Sequence, residues 1–74
     1  MNIGKAMAKI RKEVEIGRPD MAKMLGITTS ALCKIENGRH VPKRETVEKF
    51  CRQLYIPLAR IYIESFEPED YIID

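Results

Sequence analysis

Gly26 stands between two short apolar patterns that both read as helix, with only a few residues to join them. Before it, Met21, Ala22 and Leu25 fall at i, i+1 and i+4. Pro19 suits the first turn of such a helix, where a missing N–H has little consequence. Asp20 suits the positive end of its dipole. The pattern predicts a two-turn helix over about 18–25. After Gly26, Thr28 is a good N-cap, and Leu32 and Ile35 form the apolar pair of a helix over about 28–36, broken by Asn37-Gly38. A sharp turn between helices calls for a residue that tolerates positive φ, and glycine does so without strain. Ala22, four residues earlier, is small enough to let the two helices approach closely.

The remainder reads as helix too. Ile3, Met7, Ile10 and Val14 are spaced i, i+4, i+7 and i+11, one stripe of a helix over about 3–14 that Asn2 can cap. Lys5, Lys9 and Lys12 fall on its wet face. Val47, Phe50, Cys51 and Leu54 mark a helix over about 44–54. Pro57 opens a fifth short helix carrying Leu58, Ile61 and Tyr62. Pro68 and the acids around it end regular helix by about 66. No strand-like alternation or internal repeat is present. The expected fold is all-α: five short helices over residues 1–64, followed by a short acidic C-terminal tail over 65–74. The four methionines are expected as core filler.

Composition narrows the function classes. The 74 residues are 45% hydrophobic and 32% charged, the profile of one small globular domain. Apolar runs reach only two or three residues, so no segment is expected to span a membrane. No apolar leader opens the chain, which predicts a cytoplasmic location. Two cysteines without a CxxC spacing and a single histidine argue against a structural metal, and no cofactor motif is present. The net charge of +2 conceals an asymmetry. Residues 1–60 hold all 13 Lys and Arg and six acids, for +7, while residues 61–74 hold five acids and no base, for −5. A basic body of this kind suits a polyanion, although an ordinary solvated helix surface accounts for +7 equally well.

The two helices around Gly26 have the layout of a helix-turn-helix, whose second helix can lie in the DNA major groove. The stretch from Arg18 through Ala22, Gly26, Leu32 and Ile35 to Glu36-Asn37-Gly38 closely resembles the phage-repressor/Cro-type (Xre-type) helix-turn-helix family. Ile3-Gly4, Ile10-Arg11-Lys12-Glu13 upstream, and Pro42, Val47, Phe50 and Leu54 downstream, extend the resemblance over about residues 3–62. It implies a lambda-repressor-like fold. It also implies a regulator, most simply a repressor, that binds a pseudo-palindromic double-stranded operator as a homodimer.

The same resemblance implies residue roles. Thr28 would cap the recognition helix and lie near phosphate. Thr29, Ser30 and Lys34 would read bases, and Ser and Thr accept several base partners. Arg18, Asn37, Gly38, Arg39, Lys43 and Arg44 would contact phosphate, Asn37 to Arg39 with backbone and side-chain donors. Four charged contacts per subunit (Arg18, Arg39, Lys43, Arg44) imply a salt slope of about −7 for a dimer. The family commonly has Gln where Arg18 stands and often Gln on the recognition helix. Pro19 is a departure that removes an N–H. Arg11 and Glu36 would pair between helices. Leu58, Ile61, Tyr62 and Phe66 would form the dimer contact. The tail, with Tyr71, Ile72 and Ile73 among acids, would fold back, pair with its dimer mate, bind another protein, or fray. A second reading is therefore an antitoxin whose tail grips a toxin while the body represses their shared promoter.

Catalysis is disfavoured. Ser30, Cys33 and His40 lack an orienting third group, so neither a nucleophilic triad nor a metal-assisted site is assembled. Cys33 is expected to pack against the preceding helix, ahead of a redox-sensing role. Cys51 is expected in the core. His40 is expected as a loop residue that could touch DNA.

Overall fold

The computed structural model describes residues 1–71, in which five α-helices and a terminal 3-10 turn follow one another with no strand. They are α1 (Ile3–Glu13), α2 (Arg18–Leu25), α3 (Thr29–Glu36), α4 (Arg44–Leu54) and α5 (Leu58–Ser65), then Pro68–Tyr71. Ile72 and Ile73 lie outside the described residues.

Each helix begins and ends for a local reason. Asn2 Oδ1 accepts the Lys5 N–H at 3.0 Å and starts α1. The helix stops at Glu13 because Val14 has left helical geometry (φ −87°, ψ 4°), one residue short of its apolar pattern. Pro19 sits in the first turn of α2 behind Gly17 as N-cap. At the end of α4, Tyr55 takes the left-handed conformation (φ 55°) while its ring is 95% exposed. The N–H groups of Tyr55 and Ile56 close the helix by bonding the carbonyls of Arg52 and Cys51. A β-carbon is disfavoured in that conformation. Tyr55→Gly should therefore raise stability by about 0.5–1 kcal/mol in thermal unfolding. A lower midpoint would show that the ring contributes packing that outweighs the strain.

The apolar stripes converge on Phe50 of α4, which is fully buried among Met7 and Ile10 of α1, Met21 of α2 and Leu32 of α3. α1 packs on α5 and α3, α2 on α3 and α4, and α4 on α5. Cys51 is buried as expected, and burial pushes its thiol pKa up. Met7 and Met21 fill the core, whereas Met24 is half-buried and Met1 exposed. Ile61, expected on a dimer surface, is 0% exposed. It seats α5 in the core, with Leu58 packed partly buried beside that core, so Ile61 is not available to a partner.

The tail turns back onto α1. Asn2 N–H donates to the Ser65 carbonyl at 2.7 Å, and the Met1 ammonium pairs with Asp70 at 2.7 Å. Asp70 also accepts the Glu67 N–H at 2.7 Å, which holds the terminal turn together. The rings of Phe66 and Tyr71 pack with centroids 5.5 Å apart.

Candidate nucleic-acid interface

The turn between α2 and α3 is built by Gly26 in the left-handed region (φ 69°). Its N–H bonds the Lys23 carbonyl at 3.2 Å, and the Ile27 N–H bonds that of Ala22 at 3.0 Å. This double closure fixes the direction in which the chain leaves α2. Thr28 follows at once, and its hydroxyl oxygen accepts the Ala31 N–H at 3.0 Å. The cap leaves Thr29 and Ser30 in the exposed first turn of α3, with Lys34 exposed one turn later. On the opposite side Leu32 and Ile35 are buried. α3 therefore presents short polar groups and one ammonium on a rigidly anchored face.

α3 ends in a second closure of the same kind, around Gly38 (φ 78°). The Asn37, Gly38 and Arg39 N–H groups bond the carbonyls of Cys33, Ile35 and Lys34 at 2.9, 3.1 and 2.9 Å. These are the backbone donors that the sequence pattern offers to phosphate, and here they complete the helix terminus. A helix end must satisfy its last carbonyls, and that local demand takes precedence. Gly38, lacking a side chain, has no donor left for phosphate. The Asn37 carboxamide donates to Cys33 Sγ at 3.4 Å, and Cys33 is half-buried. Arg39 keeps its guanidinium, and His40 is exposed in the loop that follows.

Lys43 is the N-cap of α4 and makes no side-chain cap bond, so the positive end of α4 opens beside Lys43 and Arg44. Arg44 lies 3.7 Å from Glu48 on an exposed i, i+4 pair, a weak contact in water. A groove of about 390 Å³ between the α2–α3 turn and α4 is lined by Ala31, Lys43, Glu45 and Lys49 among others. Lys49 Nζ lies 3.4 Å from where a β-carbon on Gly26 would stand. Sequence reasoning missed Lys49 because its neighbourhood is created by helix packing and leaves no local pattern.

Arg18 is engaged differently from expectation. Its Nε donates to Glu36 Oε1 at 2.8 Å, and Glu36 also accepts from Arg11 at 2.7 and 3.1 Å. Burial would raise the Glu36 carboxyl pKa, but hydrogen bonds from Arg11 and Arg18, and their charges, outweigh it and hold it below the ordinary value. Arg11 further donates to the Ile16 carbonyl at 2.8 Å, so the expected Arg11–Glu36 link is present and fully bonded.

The ion pairs sort the charges by side. Lys9 pairs with Glu64 at 2.7 Å, Lys5 lies 3.9 Å from Glu67, and Arg60 pairs with Glu13. Hydrogen bonding from Lys9 holds the Glu64 carboxyl below its usual range. The α1 lysines, read from sequence as a solvated face, are thus partly neutralised by α5 and the tail. Among the described residues, Lys34, Arg39, Lys43 and Lys49 form no ion pair. Lys12, Lys23 and Arg52 are unpaired among them as well, so unpaired positive charge extends beyond α3 and α4, although Lys34, Arg39, Lys43 and Lys49 place four such cations along α3, the loop after it and α4.

The residues expected at a dimer contact divide. Leu58 and Tyr62 share a shallow surface with Ile3 and Val47. Phe66 lies elsewhere and lines a different groove, with Lys5, Lys9 and Glu64. Gly4, which entered the sequence reading only as part of the family resemblance, has a packing role that reading did not assign. A β-carbon there would meet the Ile35 carbonyl oxygen at 1.9 Å, so Gly4 is where α1 and α3 approach backbone to backbone. A glycine inside a helical pattern was the available signal.

A family model described as a helix-turn-helix domain matches residues 4–62. The chain is also similar to the ImmF control region 10 kDa protein of Bacillus phage phi105. The two are 36% identical over 47 residues, covering 64% of this chain and 52% of that protein. The chain therefore spans about half the length of the curated relative it matches. No solved structure matches it. No helix among the described residues is long and apolar enough to cross a membrane.

Proposed function

The chain belongs to the helix-turn-helix domain family, and from that premise we propose that it is a sequence-specific transcription regulator of double-stranded DNA. The observation that carries this reading is the outer face of α3. Thr29, Ser30 and Lys34 are exposed on a helix held at its start by the Thr28 cap and along its length by Leu32 and Ile35. Short hydroxyls and an ammonium can reach base edges in a major groove. Arg39, Lys43, Arg44 and Lys49 would hold the flanking phosphates, while Glu64 of α5 and Glu67 of the tail are engaged by α1 lysines and so kept away from them. The phage relative, named for a control region, supports the same reading.

Repression would follow from occupying a promoter. Two copies joined through Leu58 and Tyr62 would place their α3 helices in successive major grooves, about 34 Å apart on an inverted repeat. Selection of bound sequences from a random DNA pool at moderate salt is the direct test. An inverted repeat is the expected product, and recovery of no motif would overturn sequence-specific binding. On the selected site, Ser30→Ala or Lys34→Ala should weaken binding by about 1–3 kcal/mol and leave random DNA much less affected. Equal losses on both would remove the residue from base reading. Arg39→Ala or Lys43→Ala should instead weaken all DNA and flatten the salt slope by about one unit per contact.

The exposed Ile63 and Tyr71 favour a second reading, an antitoxin-type protein whose tail binds a toxin. A co-purifying protein released by Tyr71→Ala would support it.

A further inference from the structure

Glu36 makes more hydrogen bonds than a link between helices needs. Its Oε2 accepts from Arg11 Nε at 2.7 Å, and its Oε1 accepts both Arg11 Nη2 at 3.1 Å and Arg18 Nε at 2.8 Å. The Glu36 side chain is 2% exposed and that of Arg11 8%, so these two already form a complete buried pair, charge for charge. Arg18 is surplus to it. The three side chains carry two positive charges and one negative, and the unbalanced charge belongs to the one that reaches water, Arg18 at 42% exposed.

The geometry of a guanidinium gives that surplus a direction. Arg18 bonds Glu36 through Nε, and its two Nη groups make no hydrogen bond among the described residues. The group is planar and its donors form a rigid fork, so fixing Nε fixes where the Nη donors stand. Such an edge matches the paired oxygens of a phosphate. Arg18 opens α2 and Glu36 closes α3, so the fork stands at the junction of the two helices that form the DNA-binding unit.

We infer that Glu36 is a positioning residue: anchored in the core by Arg11, it holds Arg18 by Nε so that the Nη edge of Arg18 takes a DNA phosphate. The inference rests on the DNA-binding reading above. It makes one carboxylate serve both the packing of α1 on α3 and the rim of the interface. The competing account is that Glu36 neutralises Arg18 and withdraws it from DNA.

The test uses random-sequence duplex DNA, which needs no known operator, and measures log affinity against log salt for the full chain. Wild-type protein that fails to show salt-dependent binding would refute the DNA-binding reading itself, before any variant is compared. Given that binding, Arg18→Gln should make the slope shallower by about 0.9 per subunit, one phosphate. An unchanged slope would overturn the inference in favour of neutralisation. The role of Glu36 is read from Arg11→Met/Glu36→Met, which leaves net charge unaltered and replaces the buried pair with apolar side chains of similar volume, an exchange that folds tolerate. With folding verified by circular dichroism, this variant should bind about tenfold more weakly, the equivalent of one charge-assisted hydrogen bond. Adding Arg18→Gln to it should cause no further loss. A purely structural Glu36 predicts unchanged affinity in the folded variant, and full additivity with Arg18→Gln would also overturn positioning. Should the paired variant not fold, the Arg18 Nε–Hε signal in NMR decides. Positioning requires it to stay protected from exchange when DNA is added, and exposure on binding would show that Arg18 leaves Glu36 to reach phosphate.

Discussion

Replacing Gly4 with alanine should lower the midpoint of thermal unfolding by roughly 10–20 °C, from a loss of about 2–3 kcal/mol. The added β-carbon would stand 1.9 Å from the Ile35 carbonyl oxygen and 2.8 Å from its carbon. Both are backbone atoms near the end of α3, so no side chain can swing aside to relieve the overlap. α1 must move away from α3, and Met7 and Ile10 lose contact with the core they fill. In an unconstrained helix the same change is favourable by about 1 kcal/mol, because glycine is the weaker helix former. The expected sign is therefore opposite to propensity. Gly17→Ala is the control, since its β-carbon would meet only Pro19 Cδ at 3.7 Å, an ordinary contact. Equal midpoints for the two variants would show that α1 and α3 are not held at this distance.

The second large effect is expected at Glu36. Glu36→Gln keeps the shape and removes the charge, leaving Arg11 buried without its counter-ion. Breaking such a pair on one side costs about 3–5 kcal/mol. A chain of this size has about 4–11 kcal/mol in all, so the variant should be marginal and easily measured in urea. Arg11→Met/Glu36→Met should recover most of the loss, because apolar replacement removes both desolvation penalties together. The acid side gives an independent check. The folded protein holds the Glu36 carboxyl below its ordinary value of 4.5, so the native state binds fewer protons there than the unfolded chain. That stabilisation is whole above about pH 4.5 and is withdrawn as pH falls through the lowered value. Glu64 and Asp70, also lowered by their partners, contribute in the same direction. The stability difference between wild type and Glu36→Gln should therefore narrow as pH falls below 4.5. A constant difference would mean that the Glu36 charge is not what stabilises the fold.

The five helices and the turn at Gly26 were legible because their causes are local. Apolar side chains repeat along one face, Asn2 and Thr28 cap the residues that follow them, and glycine takes the two left-handed turns that close α2 and α3. Those determinants lie within a few positions of one another, so the amino-acid order alone carries them. Family resemblance suggested Thr29, Ser30 and Lys34 as base readers, and packing leaves all three exposed.

Other features were decided between segments far apart in the chain. Ile61 and Tyr62 look alike in an apolar run, yet one is fully buried and the other 40% exposed, because the direction α5 faces is set by α1 and α4. Gly38 and Arg39 read as donors beside a helix end, but closure of that end occupies their N–H groups. Lys5 and Lys9 read as a solvated face until the tail brings Glu67, and α5 brings Glu64, against them. Gly4 reads as a weak helix position until α3 is placed 1.9 Å from where its β-carbon would be. The amino-acid sequence by itself determined which segments are helices and where they turn, since hydrogen bonding and capping act over three or four residues. Tertiary structure alone decided which charges face outward unpaired and which apolar residues remain available to a partner, since both depend on what the opposing helix brings.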